Sequence, residues 1–161
     1  MTEKKPMRSR YFNRLCNQEI EDYLERNDVL FIPVGVIEMH GIFPTDVETV
    51  IPTVIAEKLA EEADALVLPN LQYFYAGGTE IGRGTVQVNV RTGIDYLYEI
   101  ASSLLKKGFT RQIYLSFHGP AHLTINPVIR DFFDDTGVSI FYLDLVRPFM
   151  KLFSDVKEMY S

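Results

Sequence analysis

Cysteine is nearly absent from this 161-residue chain. The single Cys16 excludes a disulfide framework and a cysteine-based zinc site, and a reducing interior fits best. No base lies near Cys16 in the sequence, so it reads as inert. Positive charge is also short: 16 Lys and Arg stand against 22 Asp and Glu, a net charge of −6. That balance argues against a nucleic-acid role driven by phosphate contacts. Long apolar runs are missing as well. The longest, VLFIPVGVI, falls far below the roughly 20 residues a membrane-spanning helix needs. The opening MTEKKPMRSR is charged and no apolar stretch follows it, unlike a signal peptide, so a cytoplasmic location is expected. Repeats and low-complexity linkers are not seen. What remains is 47% hydrophobic and 24% charged, the balance of a globular protein. The length suits one domain over residues 1–161, with about the first 27 as a peripheral helix or arm.

Four apolar runs read as strands: Val29 to Gly35, Ala65 to Pro69, Gln112 to Phe117 and Ser139 to Asp144. None alternates strictly with polar residues, as expected of strands covered on both faces. Helical spacing lies between them. Val47, Val50, Ile51, Val54 and Leu59 recur at three- and four-residue steps, as do Ile94, Leu97, Ala101, Leu104 and Leu105. Lys106, Lys107 and Gly108 form a C-terminal helix signature, and Gly137 closes a further helix that contains Pro127. VRPFMKLFSDVKEMYS reads as a closing amphipathic helix. Alternating β and α elements predict a mostly parallel sheet with helices on both faces. A less regular insert near residues 70–90 carries GGTEIGRGT, and its TVQV predicts an additional strand.

Ligands of open α/β sheets bind beyond the carboxyl ends of the strands. IPVGVIEMHG places Glu38 and His40 there, and IFPTD adds Asp46. The strand ending at Phe117 delivers His118. Residues two apart in an extended segment point the same way, so Glu38 and His40 can address one point. Oxygen and nitrogen donors without sulfur suit zinc, manganese or iron(II). With Asp46 as a bridging carboxylate and His118 added, the set resembles a hydrolytic metal site. Each residue also has a plain structural reading. Asp46 suits any helix start, Thr45 and Glu48 form a capping box that accounts for Glu48 without catalysis, and His118 is an ordinary strand-end histidine. GGTEIGRGT matches neither G-x-G-x-x-G nor the P-loop. It reads as tight turning, with anion contact through Arg83 as the functional alternative.

PVGVIEMHG, then PTD, a GT-containing loop and GFTRQIYLSFHG together resemble the creatininase (creatinine amidohydrolase) family. Its members read P-x-G-S-x-E-x-H-G, L-P-x-x-T-D, P-G-T and N-G-H-G-G-N in the same order. The likeness runs from about Val29 to Asp144. It implies a three-layer αβα sandwich that binds two divalent ions and cleaves amide-type C–N bonds of small molecules. Glu38 and His118 resemble ligands of one ion, His40 a ligand of the other, and Asp46 the bridging carboxylate.

Departures accompany the likeness. The His40–Asp46 segment is shorter than in the family. Pro120 stands where creatininase has a glutamate ligand, with His122 as a possible substitute. The family's H-A-G-E-x-E-T-S-like C-terminal signature has no counterpart here, so the proton-transfer residues are not identified. One zinc or manganese ion is therefore expected, with the second position poorly supplied. Three readings stand at this point. The first is a metal-dependent amidohydrolase whose site a homo-oligomer or complementing subunit completes. The second is a catalytically impaired relative or partner subunit. The third is a phosphate- or nucleotide-binding α/β protein using the glycine-rich loop. No membrane or nucleic-acid partner is expected.

Overall fold

The computed structural model describes residues 7–159. Four parallel strands form one sheet in the order β2-β1-β3-β4: β1 Val29–Val34, β2 Leu66–Val67, β3 Arg111–Ser116 and β4 Phe141–Asp144. Five α-helices are interleaved among the described residues: α1 Asn17–Leu24, α2 Val47–Ala63, α3 Val90–Lys106, α4 His122–Thr136 and α5 Val146–Met159. Every strand expected from the sequence is present within two residues, except at TVQV. There the chain makes only an isolated antiparallel bridge, Ile37 with Val86.

β1 is buried along its whole length and sorts its side chains between two cores. Leu30, Ile32 and Val34 join Leu97, Ala101, Ile125 and Phe132 from α3 and α4. Val29 and Phe31 pack with Ala56 and Ala60 of α2 on the opposite face. This period-two sorting makes the αβα sandwich. Pro33 is tolerated in a central strand because of where it lies. Its carbonyl accepts from Leu71 N–H, so its missing N–H faces the side where β2 has already ended.

The inward face of α2 differs from the one its large aliphatic residues mark. Pro52, Ala56 and Ala60 are buried, whereas Val50, Val54 and Leu59 are exposed. Small residues at four-residue steps let the helix lie close to the sheet. The closest approach is at Gly35, just past β1. A Cβ there would collide with the Glu48 carbonyl group, its carbon 2.9 Å away, and would meet Thr49 Cα at 3.0 Å. Pro52 has no N–H to give that carbonyl, so the helix's usual bond at Glu48 is not made. Gly35→Ala should therefore push the first turn of α2 off the sheet and cost about 1–3 kcal/mol, the usual range for overpacking. Urea denaturation measures this, and an unchanged midpoint would refute the close-packing account.

The other end of α2 is fixed by charge. Asp64 caps the helix in the left-handed conformation, with φ 52°. It accepts from Arg10 Nη1 at 2.6 Å and Arg26 Nε at 3.2 Å. Burial raises the Asp64 carboxyl, but the two guanidinium groups outweigh it and hold the group below its ordinary value. A depressed carboxylate stabilises the fold fully above its unfolded pKa of about 3.9. That contribution drains as pH falls through the lower folded value. Asp64→Asn, which keeps a residue tolerant of positive φ, should be less stable than the parent near neutral pH and converge with it in strong acid. Stability curves for both proteins test this, and a pH-independent gap would count against it.

Candidate metal centre

Adjacent parallel strands bring two chain segments to one edge. β1 and β3 are in register up to the pair Val34 and Ser116. Glu38 lies four residues past the first, and His118 two past the second. The segment after β1 is held by backbone bonds: Gly35 N–H to Leu71 O, Ile37 N–H to Gln72 O and Glu38 N–H to Thr45 O. His118 N–H donates to Ser116 Oγ at 3.1 Å. α2, which returns from this edge, contributes its first turn.

Four titratable side chains meet there. Glu38, Glu48 and His118 are buried at 3%, 7% and 1% exposure, and His40 keeps 29% of its side-chain surface. One ligand atom each from Glu38, His40 and Glu48 lies within 4.8 Å of the others. His118 Nδ1 reaches both carboxylates, Glu48 Oε2 at 2.5 Å and Glu38 Oε1 at 3.3 Å. His40 Nε2 stands 3.3 Å from Glu48 Oε1 and 3.7 Å from Glu38 Oε1. Glu48 thus turns one oxygen to each histidine.

Both imidazoles are oriented from behind. His118 Nε2 donates to Tyr75 O at 2.8 Å, and His40 Nδ1 lies 3.3 Å from the Glu38 carbonyl. The nitrogens left over, His118 Nδ1 and His40 Nε2, are the ones aimed at the carboxylates. Tethering the far nitrogen to a carbonyl is how metal-ligating histidines are commonly fixed. Burial pushes the Glu38 carboxyl above its ordinary range; the Thr79 hydroxyl opposes this and the adjacent Glu48 adds to it. Burial disfavours the charged form of His118, but Glu48, the Tyr75 carbonyl and Glu38 overcome it and raise the imidazole. Oxygen and nitrogen donors without sulfur, with their outer partners in place, fit a divalent ion of the zinc or manganese kind.

Glu38, His40 and His118 converge as their sequence positions suggest, whereas Asp46 lies outside the group. It is the exposed N-cap residue of α2, and Glu48 takes the interior position. Thr45 and Glu48 make no capping box: the N-cap is Asp46, one residue later, and the Glu48 carboxylate turns to His118 and His40. The signal was periodicity: Glu48 extends the buried Pro52, Ala56, Ala60 row, while Asp46 heads the exposed row of Val50 and Val54. His122 begins α4 with Nδ1 2.9 Å from Gly119 O, and it is not among the grouped residues. Arg83 is exposed. The glycine-rich loop contains a 3-10 turn, Gly77–Ile81, and bonds to the Glu38 segment through Thr79 and Thr85.

A family model described as creatinine amidohydrolase matches residues 13–159. The chain belongs to the creatininase family. It is 35% identical over 111 residues to 3-dehydro-scyllo-inosose hydrolase of Thermotoga maritima, a match covering 68% of this chain and 36% of that one. Creatinine amidohydrolase of Pseudomonas putida is 30% identical over 118 residues, or 69% and 45% of the two lengths. A solved structure described as creatininase Mn shares the fold with a TM-score of 0.74 at 27% identity, covering 84% of this chain and 58% of that one. The matched segment therefore spans less than half of either curated relative.

Substitution separates the two carboxylates at the start of α2, Asp46 at its N-cap and Glu48 in its first turn. Glu48→Gln should weaken zinc binding by more than about 100-fold, beyond the loss typical of an outer-shell partner. Asp46→Asn should leave affinity near the parent value. Competitive titration against a chromophoric chelator reads both, and the reverse order would return the ligand role to Asp46.

Proposed function

We propose that this creatininase-family chain is a metal-dependent hydrolase that opens a C–N bond, amide or cyclic amide, in a small molecule. The observation that carries the reading is the convergence of Glu38, His40, Glu48 and His118 with both imidazoles tethered from behind. These four residues would hold the ion, with Glu48 in the part first assigned to Asp46. When bound, such an ion lowers the pKa of water and polarises a carbonyl.

The chain's own residues supply the remainder. His118 is sealed from solvent and its Nε2–H is committed to Tyr75 O, so it would serve the ion through Nδ1 and does not exchange protons with substrate. His40 is the most open of the four, which puts the approach of a substrate on its side. The turn after it, bridged from His40 to Phe43, carries exposed Ile42 and Phe43. Their apolar surface suits the flat face of a small ring, while Gly41 and Gly119 have no neighbour within 4 Å of a would-be Cβ and leave the edge uncrowded. Membership alone does not fix the substrate, because one relative is described by creatinine and the other by an inosose. The family likeness to creatinine amidohydrolase favours the amide.

The protein loaded with zinc or manganese should hydrolyse members of a panel of cyclic and linear amides, including creatinine. Chelation should abolish the activity and re-addition restore it, followed by amine or carboxylate release. A metal-loaded protein that turns over none of the panel, or activity indifferent to chelation, would defeat the proposal.

A further inference from the structure

The two threonines of the glycine-rich insert tie it to Glu38 and to Met39 beside it. Thr79 Oγ1 donates to Glu38 Oε2. Thr85 Oγ1 donates to Thr79 O at 2.8 Å and accepts from Met39 N–H at 3.1 Å. Met39 follows Glu38 in the chain, so the hydrogen bonds close a ring: Glu38 side chain, Thr79, Thr85, Met39 backbone and back to Glu38. Val86 N–H donates to Ile37 O at 3.0 Å and holds the other flank. The Thr79 hydroxyl also lies 3.3 Å from Ala76 O. It has one proton, and a carboxylate is the stronger acceptor.

We propose that Thr79 is a positioning residue that holds Glu38 as a one-oxygen ligand, with Thr85 anchoring it. The inference rests on the reading of these residues as a metal centre. Oε2 is taken by the hydroxyl, and Oε1 is the atom left facing His118 Nδ1 and His40 Nε2. The last torsion of a glutamate is broad and only two-fold, so packing alone fixes the carboxylate plane weakly. Without the hydroxyl the group is free to turn and offer both oxygens. A ligand of defined denticity then depends on a loop that contributes no ligand itself.

Zinc and cobalt(II) binding by the parent protein, Thr79→Val and Thr79→Ser tests this. Thr79→Val should bind zinc about 10–100-fold more weakly, the range for losing an outer-shell partner. Its cobalt form should absorb less in the visible, as coordination number rises when both oxygens bind. Thr79→Ser restores the hydroxyl and should keep both the affinity and the spectrum, which a loss of general loop packing would not predict. Thr79→Ala carries the same expectation as the valine variant should that protein fail to fold. Hydroxyl-free variants with parental zinc affinity and an unchanged cobalt spectrum would overturn the role of Thr79 and leave the metal centre intact. A parent protein that binds neither ion would overturn both.

Discussion

Two carboxylates, Glu38 and Glu48, are buried side by side at the end of a sheet, and most of what surrounds them answers that arrangement. Buried like charges are costly unless paired and hydrogen-bonded. Here two imidazoles face them, the Thr79 hydroxyl engages one Glu38 oxygen, and Glu48 rides in the first turn of α2, where the helix dipole favours negative charge. The arrangement also dictates packing some distance away. Glu48 reaches the histidines because α2 lies against Gly35, and α2 lies there because its inward residues are small.

The sheet and its strand boundaries were legible from apolar runs because a parallel sheet with both faces covered buries each strand without interruption. TVQV misled for a related reason. Its residues have strand-forming side chains, but the segment crosses the edge of the fold and finds a single bridge at Ile37 instead of a ladder. The histidines and Glu38 could be found because they follow strands directly. Glu48 was hidden by a sound local argument, since Thr-x-x-Glu at a helix start is a good capping sequence. The helix starts one residue later than that pattern implies, with Asp46 as its cap, and the Glu48 carboxylate turns inward to the histidines. In α2 the large aliphatics pointed to the wrong face, because close approach to the sheet selects small side chains over apolar ones. Tertiary distance decided both cases, and local patterning does not carry it.

Under the proposed function, family membership and substrate selection sit on different parts of the molecule. The grouped residues Glu38, His40, Glu48 and His118 come from strand ends and a helix start, which the fold fixes. The apolar turn His40 to Phe43 and the glycine-rich loop belong to connections, where relatives with different activities are free to diverge. The glycine-rich loop does both, carrying exposed residues such as Ile81 while its threonines steady a buried carboxylate.

The contact between His118 and Glu48 spans 70 residues of chain. Closing a loop of that length has an entropic cost that rises only slowly with length, but it must be met before the contact returns anything. β1 and β3 have to pair in register for that contact to form, so the place of His118 in the centre depends on the sheet. His118, by contrast with Glu38, His40 and Glu48, reaches the group only through the sheet that carries it.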